Sequence, residues 1–166
     1  MTKKRLFTSH IYDDWMGTLQ RYKIEQILSK VKIEKNARVL DLGSGAGFFN
    51  DSLNNVVAVD VDEISLKKNR STKVLGSGDA IPFKNSVFDV VFCLDTVHLL
   101  SGITDLTRVL HEGGMVVASR FCNEYNKVER LEELKKIFTE WDIVDEFFVG
   151  KSELELDAVL YLIKRD

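Results

Sequence analysis

Apolar residues recur along this chain with two different spacings, one typical of helices and the other of buried strands. Residues 11–31 place apolar side chains at near-helical intervals, which predicts a long helix before the first strand. Residues 127–141 show the same periodicity and form the clearest amphipathic pattern in the chain. Short apolar runs such as residues 88–94 instead predict strands that are buried on both faces of a parallel sheet.

Predicted strands and helices alternate from residue 38 onward. The strands are predicted at residues 38–42, 56–61, 73–75, 88–94, 115–121, 143–149 and 158–163. The helices between them are predicted at a brief segment ending near Leu53 and at residues 64–69, 104–110 and 127–141. Gly113 and Gly114 follow the third of these helices in the position that a C-cap favours. The alternation predicts an α/β fold with a seven-stranded, mostly parallel sheet and helices on both faces. The short link between the last two strands predicts one antiparallel strand near the C-terminus.

Length and composition fit a single globular domain. The chain has 166 residues, of which 45% are hydrophobic. No apolar run approaches the roughly 18 residues that a membrane span needs, and residues 1–10 lack the apolar core of a signal peptide. We therefore expect a cytoplasmic protein without membrane contact. Cys93 and Cys122 have no partner at metal-binding spacing, so no metal site is expected.

A glycine cluster lies directly after the first predicted strand. Gly43, Gly45 and Gly47 belong to the stretch VLDLGSGAG, residues 39–47. Ligands of open α/β sheets bind at the carboxyl ends of the strands, where bare backbone and a following helix N-terminus present N–H groups. Dinucleotides and S-adenosylmethionine both fit such a loop. A dinucleotide fingerprint needs a third small residue where Phe48 stands, so the spacing favours S-adenosylmethionine.

Polar residues after the second, third and fourth predicted strands supply the other candidate contacts. Asp60 ends the second strand, where a carboxylate can accept hydrogen bonds from both hydroxyls of a ribose. Asp79 follows the third strand and can accept the exocyclic amine of an adenine, while the N–H of Ala80 meets a ring nitrogen. Asp95 and His98 follow the fourth strand, so either is a candidate general base.

Five stretches of the sequence resemble the motifs of one enzyme family. They are VLDLGSGAG (39–47), VVAVDVDE (56–63), GDAIPF (78–83), FDVVFCLDTVHLL (88–100) and RVLHEGGMVVAS (108–119). Their order is similar to that of class I S-adenosylmethionine-dependent methyltransferases, in the small ubiquinone-biosynthesis-like (type 11) group. The resemblance implies a Rossmann-like fold, S-adenosylmethionine as cofactor and S-adenosylhomocysteine as product.

The same resemblance implies roles for individual residues. Those expected at the cofactor are Asp41, Gly43, Ser44 and Gly45 around its methionine part, Asp60 at the ribose, Val61 against the adenine, Asp79 and Ala80 at the adenine edge, and Leu94 from the fourth strand. Residues 1–36 are expected to form an N-terminal helical lid, with residues 37–166 as the Rossmann-like core. Tyr12, Trp15 and Arg21 are the lid or substrate candidates, and Arg21 could neutralise the cofactor carboxylate.

Three functions stay open on the sequence. The first is a methyltransferase for a small-molecule acceptor, with the N-terminal helix as its lid. The second is the catalytic subunit of an RNA or protein methyltransferase that needs a partner for recognition. The surplus of nine Lys and Arg over four Asp and Glu in residues 1–38 allows this second function. The third is a non-catalytic protein that binds S-adenosylmethionine.

Overall fold

A computed structural model describes residues 9–49 and 52–165, with side chains from residue 17 onward. The strands are β1 (Val39–Leu42), β2 (Val56–Asp60), β3 (Thr72–Leu75), β4 (Phe88–Leu94), β5 (Leu110–Cys122), β6 (Trp141–Ser152) and β7 (Glu155–Lys164). The helices are α1 (Ser9–Lys30), α2 (Glu63–Lys68), α3 (Thr104–Val109) and α4 (Lys127–Ile137), with a 3₁₀ turn at Val97–Leu99. No helix in this described part of the chain is long and apolar enough to cross a membrane.

The strands form one sheet in the order β3-β2-β1-β4-β5-β7-β6. All pairs from β3 to β5 are parallel, and β7 runs antiparallel to both of its neighbours. This arrangement confirms the predicted seven-stranded, mostly parallel sheet with one antiparallel strand. The chain progresses outward in opposite directions from β1, so the crevice between β1 and β4 is the switch point where this class of fold binds ligands.

Alternate residues of the central strands enter two separate cores, one on each face of the sheet. Val91 and Cys93 of β4 pack with α3 and α4 on one face. Val90 and Phe92 of the same strand pack with α1 on the other face. Because side chains alternate along a strand, a uniformly apolar strand requires helices on both faces, as predicted.

The second half of α1 is attached to the sheet by polar contacts as well as by apolar packing. Lys23 forms a buried ion pair with Asp157 of β7. The backbone N–H of Gly150 in β6 donates to the Gln26 side chain, at 2.8 Å. These contacts make the second half of α1 part of the core, so the predicted lid role is left to the first half of the helix.

The brief helix predicted after the glycine cluster falls partly on residues 50–51, which lie outside the described residues. The described residues of the β1–β2 connection, 43–49 and 52–55, contain turns. Gly43, Gly45 and Gly47 have φ values of 75°, 51° and 81°, which lie outside the right-handed helical region. After them, the Leu53 N–H donates to the Phe49 carbonyl at 3.2 Å, which is the hydrogen-bond spacing of a helical turn.

Two predicted helix ends differ from the structure. Gly113 and Gly114 do not cap a helix, because α3 ends at Val109 and the glycines lie in a bulge of β5 opposite β4. The last amphipathic helix ends at Ile137 rather than at Trp141. Trp141 begins β6 instead, and its ring packs edge-on against Phe138 with the centroids 5.7 Å apart. The helical spacing of these two apolar residues therefore continues across a turn.

Candidate functional site

Two adjoining cavities lie at the carboxyl ends of β1, β2 and β4. The α1 cavity, of about 280 Å³, is lined by Gln20, Ile24, Asp41, Gly43, Ser44, Gly45, Phe48, Phe49, Leu94, Asp95 and Thr96. The β3 cavity, of about 230 Å³, is lined by Leu42, Gly43, Val59, Asp60, Val61, Gly76, Ser77, Gly78, Asp79, Thr96, Leu99 and Leu100. Gly43 and Thr96 belong to both linings, so the two cavities adjoin, and together we call them the groove.

The glycine turns give the wall of this groove its shape. A Cβ on Gly43 would lie 2.1 Å from Thr96 Oγ1, and one on Gly47 would lie 2.4 Å from Asn69 Cγ. Both distances are far below van der Waals contact, so neither position tolerates a side chain without movement. Nothing lies within 4 Å of a Cβ on Gly45, which leaves open space beside the loop. The loop is thus in close contact with other residues at Gly43 and Gly47 and faces open space at Gly45.

Asp41 and Ser44 are buried polar residues in the α1 cavity. Both are 6% exposed. Burial, and then the nearby charge of Asp60, raise the pKa of Asp41 to about 7. Ser44 Oγ is buried and has no hydrogen-bond partner among the described residues. A buried acid whose ionisation is unfavourable, beside an unpaired hydroxyl, indicates a site that a ligand with a cationic centre and polar groups completes.

The Asp60 carboxylate is oriented by two backbone N–H groups. Oδ2 accepts from Gly45 at 2.7 Å, and Oδ1 accepts from Asp62 at 2.8 Å. Each carboxylate oxygen has a second lone pair, so the group can still accept hydrogen bonds from a ligand in the β3 cavity. The hydrogen bond from the Gly45 N–H to Asp60 also connects the glycine loop to the end of β2.

Asp79 connects the loop after β3 to the loop after β4. Its Oδ1 accepts from the Ser101 N–H at 2.7 Å, and its Oδ2 accepts from Ser101 Oγ at 3.2 Å. The N–H of Ala80 donates to the Ser77 carbonyl at 3.2 Å, and Ala80 lines neither cavity. The structure thus brings Asp79 to the predicted adenine side and gives the Ala80 N–H an internal partner.

Most of the predicted site residues are brought together. Every predicted cofactor residue except Ala80 lines one of the two cavities. Among the lid candidates, Arg21 is exposed and lines neither cavity, and the side chains of Tyr12 and Trp15 lie outside the described residues. Their roles stay predictions.

The two candidate bases lie in different depressions, with His98 inside the 3₁₀ turn. Asp95 lines the α1 cavity. His98 is exposed and lines a different depression, together with Arg120 and Glu133. Partial burial, and then the charges of Arg120 and Arg130, lower the pKa of His98. Of the two candidates, only Asp95 therefore lies at the groove.

Sequence reasoning missed several residues that line the groove. Phe48 and Phe49 line the α1 cavity, and Phe49 is also buried in the core. Thr96 joins the two cavities, and its place next to Asp95 was the available signal. Nothing in the sequence marks Gln20 among the other polar residues of α1.

Comparison with known proteins supports the family that the sequence motifs resemble. A family model described as a methyltransferase domain matches residues 40–118. An uncharacterised protein of Methanocaldococcus jannaschii is 30% identical over 102 residues, which cover 57% of this chain and 45% of that protein. The biotin biosynthesis bifunctional protein BioHC of Cellvibrio japonicus is 30% identical over 164 residues, covering 87% of this chain and 31% of that protein. The chain spans less than half the length of the curated relatives it matches.

Solved structures share the fold. One is a chain from the complex between the Haloferax volcanii Trm112 methyltransferase activator and a methyltransferase, with a TM-score of 0.75, 13% identity, and coverage of 93% of this chain and 94% of that one. Another is an S-adenosylmethionine-dependent methyltransferase of Thermotoga maritima, with a TM-score of 0.72, 17% identity, and coverage of 95% and 96%. The family model, matched over 79 of the 166 residues, and this shared fold support a class I S-adenosylmethionine-dependent methyltransferase, whose cofactor is S-adenosylmethionine.

Proposed function

We propose that this domain transfers a methyl group from S-adenosylmethionine to a small-molecule acceptor. The observation that carries the proposal is the groove formed by the two cavities. Residues of the glycine motif line one end, and Asp60, Val61 and Asp79 line the other. The two volumes together fall in the usual range for ligand pockets, about 300–1,000 Å³.

The charge of the groove fits a cationic cofactor better than a dinucleotide. S-adenosylmethionine carries a sulfonium and an ammonium group, which suit the carboxylates of Asp41 and Asp60. Its own carboxylate would find a hydrogen-bond donor in the unpaired Ser44 hydroxyl. A dinucleotide would instead place its pyrophosphate at the glycine loop. Buried Asp41 would repel that anion, and no helix N-terminus follows the loop within the described residues to stabilise it.

The chain's own contribution to the reaction is orientation and exclusion of water. When bound, the cofactor supplies a methyl group that its positively charged sulfur has already activated. Asp60, fixed by Gly45 and Asp62, would hold the ribose. Ile24, Phe48 and Leu94 give the α1 cavity apolar walls. Holding an acceptor in line with a fixed methyl group can supply roughly 7–11 kcal/mol of the barrier reduction.

The small-molecule acceptor is supported by two observations. The α1 cavity lies beside α1 and has apolar walls from Ile24, Phe48 and Leu94, which suit a compact ligand. The Cellvibrio relative is named as a biotin biosynthesis protein, and biotin is a small molecule.

A partner-dependent methyltransferase is the second candidate function. It is favoured by the Haloferax chain of the same fold, which is found in a complex with a methyltransferase activator. In that case, the present chain would need a protein subunit before it modified RNA or protein. Transfer to small acceptors by the isolated chain would argue against this candidate. RNA binding that weakens steeply with salt would argue for it.

Calorimetric titration with S-adenosylmethionine, S-adenosylhomocysteine and NAD tests the cofactor site. We expect the two sulfur ligands to bind the wild type and NAD not to bind. Asp60→Ala should lose about 1–3 kcal/mol of binding free energy, because a charge-assisted hydrogen bond is lost. Asp145→Ala, at an exposed acid of β6, is the matched control and should bind like the wild type.

Turnover separates the three open functions. Release of S-adenosylhomocysteine is measured with a panel of small acceptors, first alone and then with RNA or cell protein added. Turnover with a small acceptor supports the proposal. Tight cofactor binding without turnover in any mixture supports the non-catalytic alternative. Selective binding of NAD in the calorimetric titration would exclude a methyltransferase.

A further inference from the structure

Three charged side chains from distant parts of the chain meet beside the α1 cavity. Asp95 comes from the loop after β4, Asp157 from β7 and Lys23 from α1. Lys23 and Asp157 form an ion pair, and their side chains are 1% and 3% exposed. The carboxyl groups of Asp95 and Asp157 are close enough for each to shift the pKa of the other. Of the three residues, Asp95 is the one that lines the cavity.

The backbone holds Asp95 in an unfavourable conformation. Its φ is +51°, in the left-handed region that non-glycine residues rarely adopt. The Asp95 N–H donates to buried Ser119, at 3.1 Å to its carbonyl oxygen and at 3.2 Å to its Oγ. Strain of this kind persists only where the surroundings fix it, and it is concentrated at functional sites. Here the strained residue is one that lines the α1 cavity.

The cluster contains two carboxyl groups and only one buried cation. Asp95 Oδ1 is buried and receives no hydrogen bond from any donor among the described residues. Arg120 and Cys122 of β5 complete the titratable surroundings. Burial raises the pKa of Asp95, and burial together with the charge of Asp95 raises that of Asp157 to about 6. Lys23 balances only one of the two carboxylates, so the unpaired oxygen of Asp95 is the atom that can take up a further proton.

We propose that Asp95 is the catalytic base of this domain, that Asp157 and Lys23 are its positioning residues, and that the acceptor is an amine that arrives protonated. The inference rests on the proposed methyltransferase function and specifies its acceptor. A second observation marks the cavity as a ligand site independently of the acidic cluster. Ser44 Oγ, on the opposite wall, is buried and unpaired among the described residues.

The amine follows from charge and from proton affinity. Three acidic residues, Asp41, Asp95 and Asp157, lie in or beside the cavity, and Lys23 is already paired with one of them. This surplus attracts an ammonium group and repels a carboxylate acceptor. An ammonium has a pKa of about 10 and a hydroxyl like that of water a pKa near 16, so transfer of a proton to a carboxyl group is about 10⁶-fold more favourable from the ammonium.

The proposed step conserves atoms and charge. The ammonium gives one proton to the Asp95 carboxylate, which leaves a neutral amine with a free electron pair and a neutral carboxyl group. That electron pair forms the new N–C bond to the methyl carbon, while the C–S bond breaks and its electrons remain on sulfur. The product is a methylated ammonium and a neutral thioether. The proton on Asp95 returns to water after product release.

Carbon-13 NMR of protein labelled at the aspartate carboxyl carbons tests the pair without any cofactor. In the wild type, the Asp95 and Asp157 signals should titrate in two coupled steps, one of them well above the usual aspartate range. Asp95→Asn and Asp157→Asn should each leave a single step, and Asp145→Asn should leave both. Asp95→Asn keeps the Lys23–Asp157 pair, so it is the variant expected to fold. Independent titration of Asp95 in the ordinary range would overturn the proposal.

The acceptor is tested with primary amines. In the presence of S-adenosylhomocysteine, 2-phenylethylamine should shift the Asp95 signal of the wild type. Methyl transfer to an amine of the panel should fall by about 10²–10⁴-fold in Asp95→Asn, while calorimetry shows less than tenfold weaker S-adenosylmethionine binding. An unchanged rate in Asp95→Asn, or amines that neither react nor shift the signal, would overturn the inference. Loss of cofactor binding in the wild type would instead overturn the proposed function.

Discussion

The substitution Asp41→Asn should stabilise the protein and weaken its cofactor binding. In the folded protein the pKa of Asp41 is about 7, against an ordinary value of 3.8. Below both values, the residue is protonated in the folded and unfolded states and has no pH-dependent effect. As the pH rises between them, the unfolded chain releases the proton first, so the folded state becomes progressively less stable.

The size of this effect follows from the two pKa values. Each pKa unit corresponds to about 1.36 kcal/mol, so a buried Asp41 destabilises the fold by about 1 kcal/mol near pH 4.5 and about 4 kcal/mol near pH 8. Asparagine has nearly the same shape and cannot ionise. Asp41→Asn should therefore exceed the wild type in unfolding free energy, by an amount that increases with pH.

Urea unfolding near pH 4.5 and near pH 8 measures this difference, with Asp145→Asn as the exposed control. A gain that is equal at both pH values would refute the argument, because only ionisation makes it depend on pH. The same variant should bind S-adenosylmethionine more weakly at pH 8, since the cationic cofactor favours an ionised Asp41. Greater stability with undiminished affinity would show that Asp41 does not contact the cofactor's charge.

Two further substitutions test the packing behind the groove and the core. Gly43→Ala should destabilise the protein by at least about 1–2 kcal/mol in thermal unfolding and weaken cofactor binding, because the φ of 75° is strained and the added Cβ would strike Thr96. Gly102→Ala is the control, because a Cβ at Gly102 meets open space. Equal behaviour of the two variants would contradict the geometry. Leu134→Ala should lower the free energy of unfolding by about 2–5 kcal/mol in a urea titration, because the Leu134 side chain is fully buried against the sheet. The control Leu154→Ala, at a leucine that is 64% exposed, should change this free energy little.

The sequence predicted strands well where a run of apolar residues is buried along its whole length. The run Phe88–Leu94 was predicted at its observed bounds, because polar or loop residues flank a strand that is apolar on both faces. Trp141 was assigned to a helix because it stands three residues after Phe138, a spacing that helices and helix–turn–strand corners share. Gly113 and Gly114 were assigned to a cap because a bulge in β5 depends on pairing with β4, which the sequence does not encode locally.

The candidate site was predicted in its local part and missed in its long-range part. Asp41, Gly43 and Asp60 lie within one strand–loop–strand unit, so their spacing defines the groove. Lys23 and Asp157 are separated by 134 positions along the chain, and only the fold brings them together. One signal for Lys23 was available, since Leu19, Lys23 and Ile27 are four residues apart and share one helix face. A lysine on that apolar face needs a buried partner.

Side chains from the β2–α2 region hold the glycine loop in place. Asp60 accepts from the Gly45 N–H at 2.7 Å, and Asn69, which is 2% exposed, lies directly beneath Gly47. Asn69 is itself fixed by the Ser71 N–H, which donates to its side chain at 3.0 Å. The shape of the cofactor loop therefore depends on α2 and the turn after it, so changes at Asn69 should affect cofactor affinity although this residue lines neither cavity.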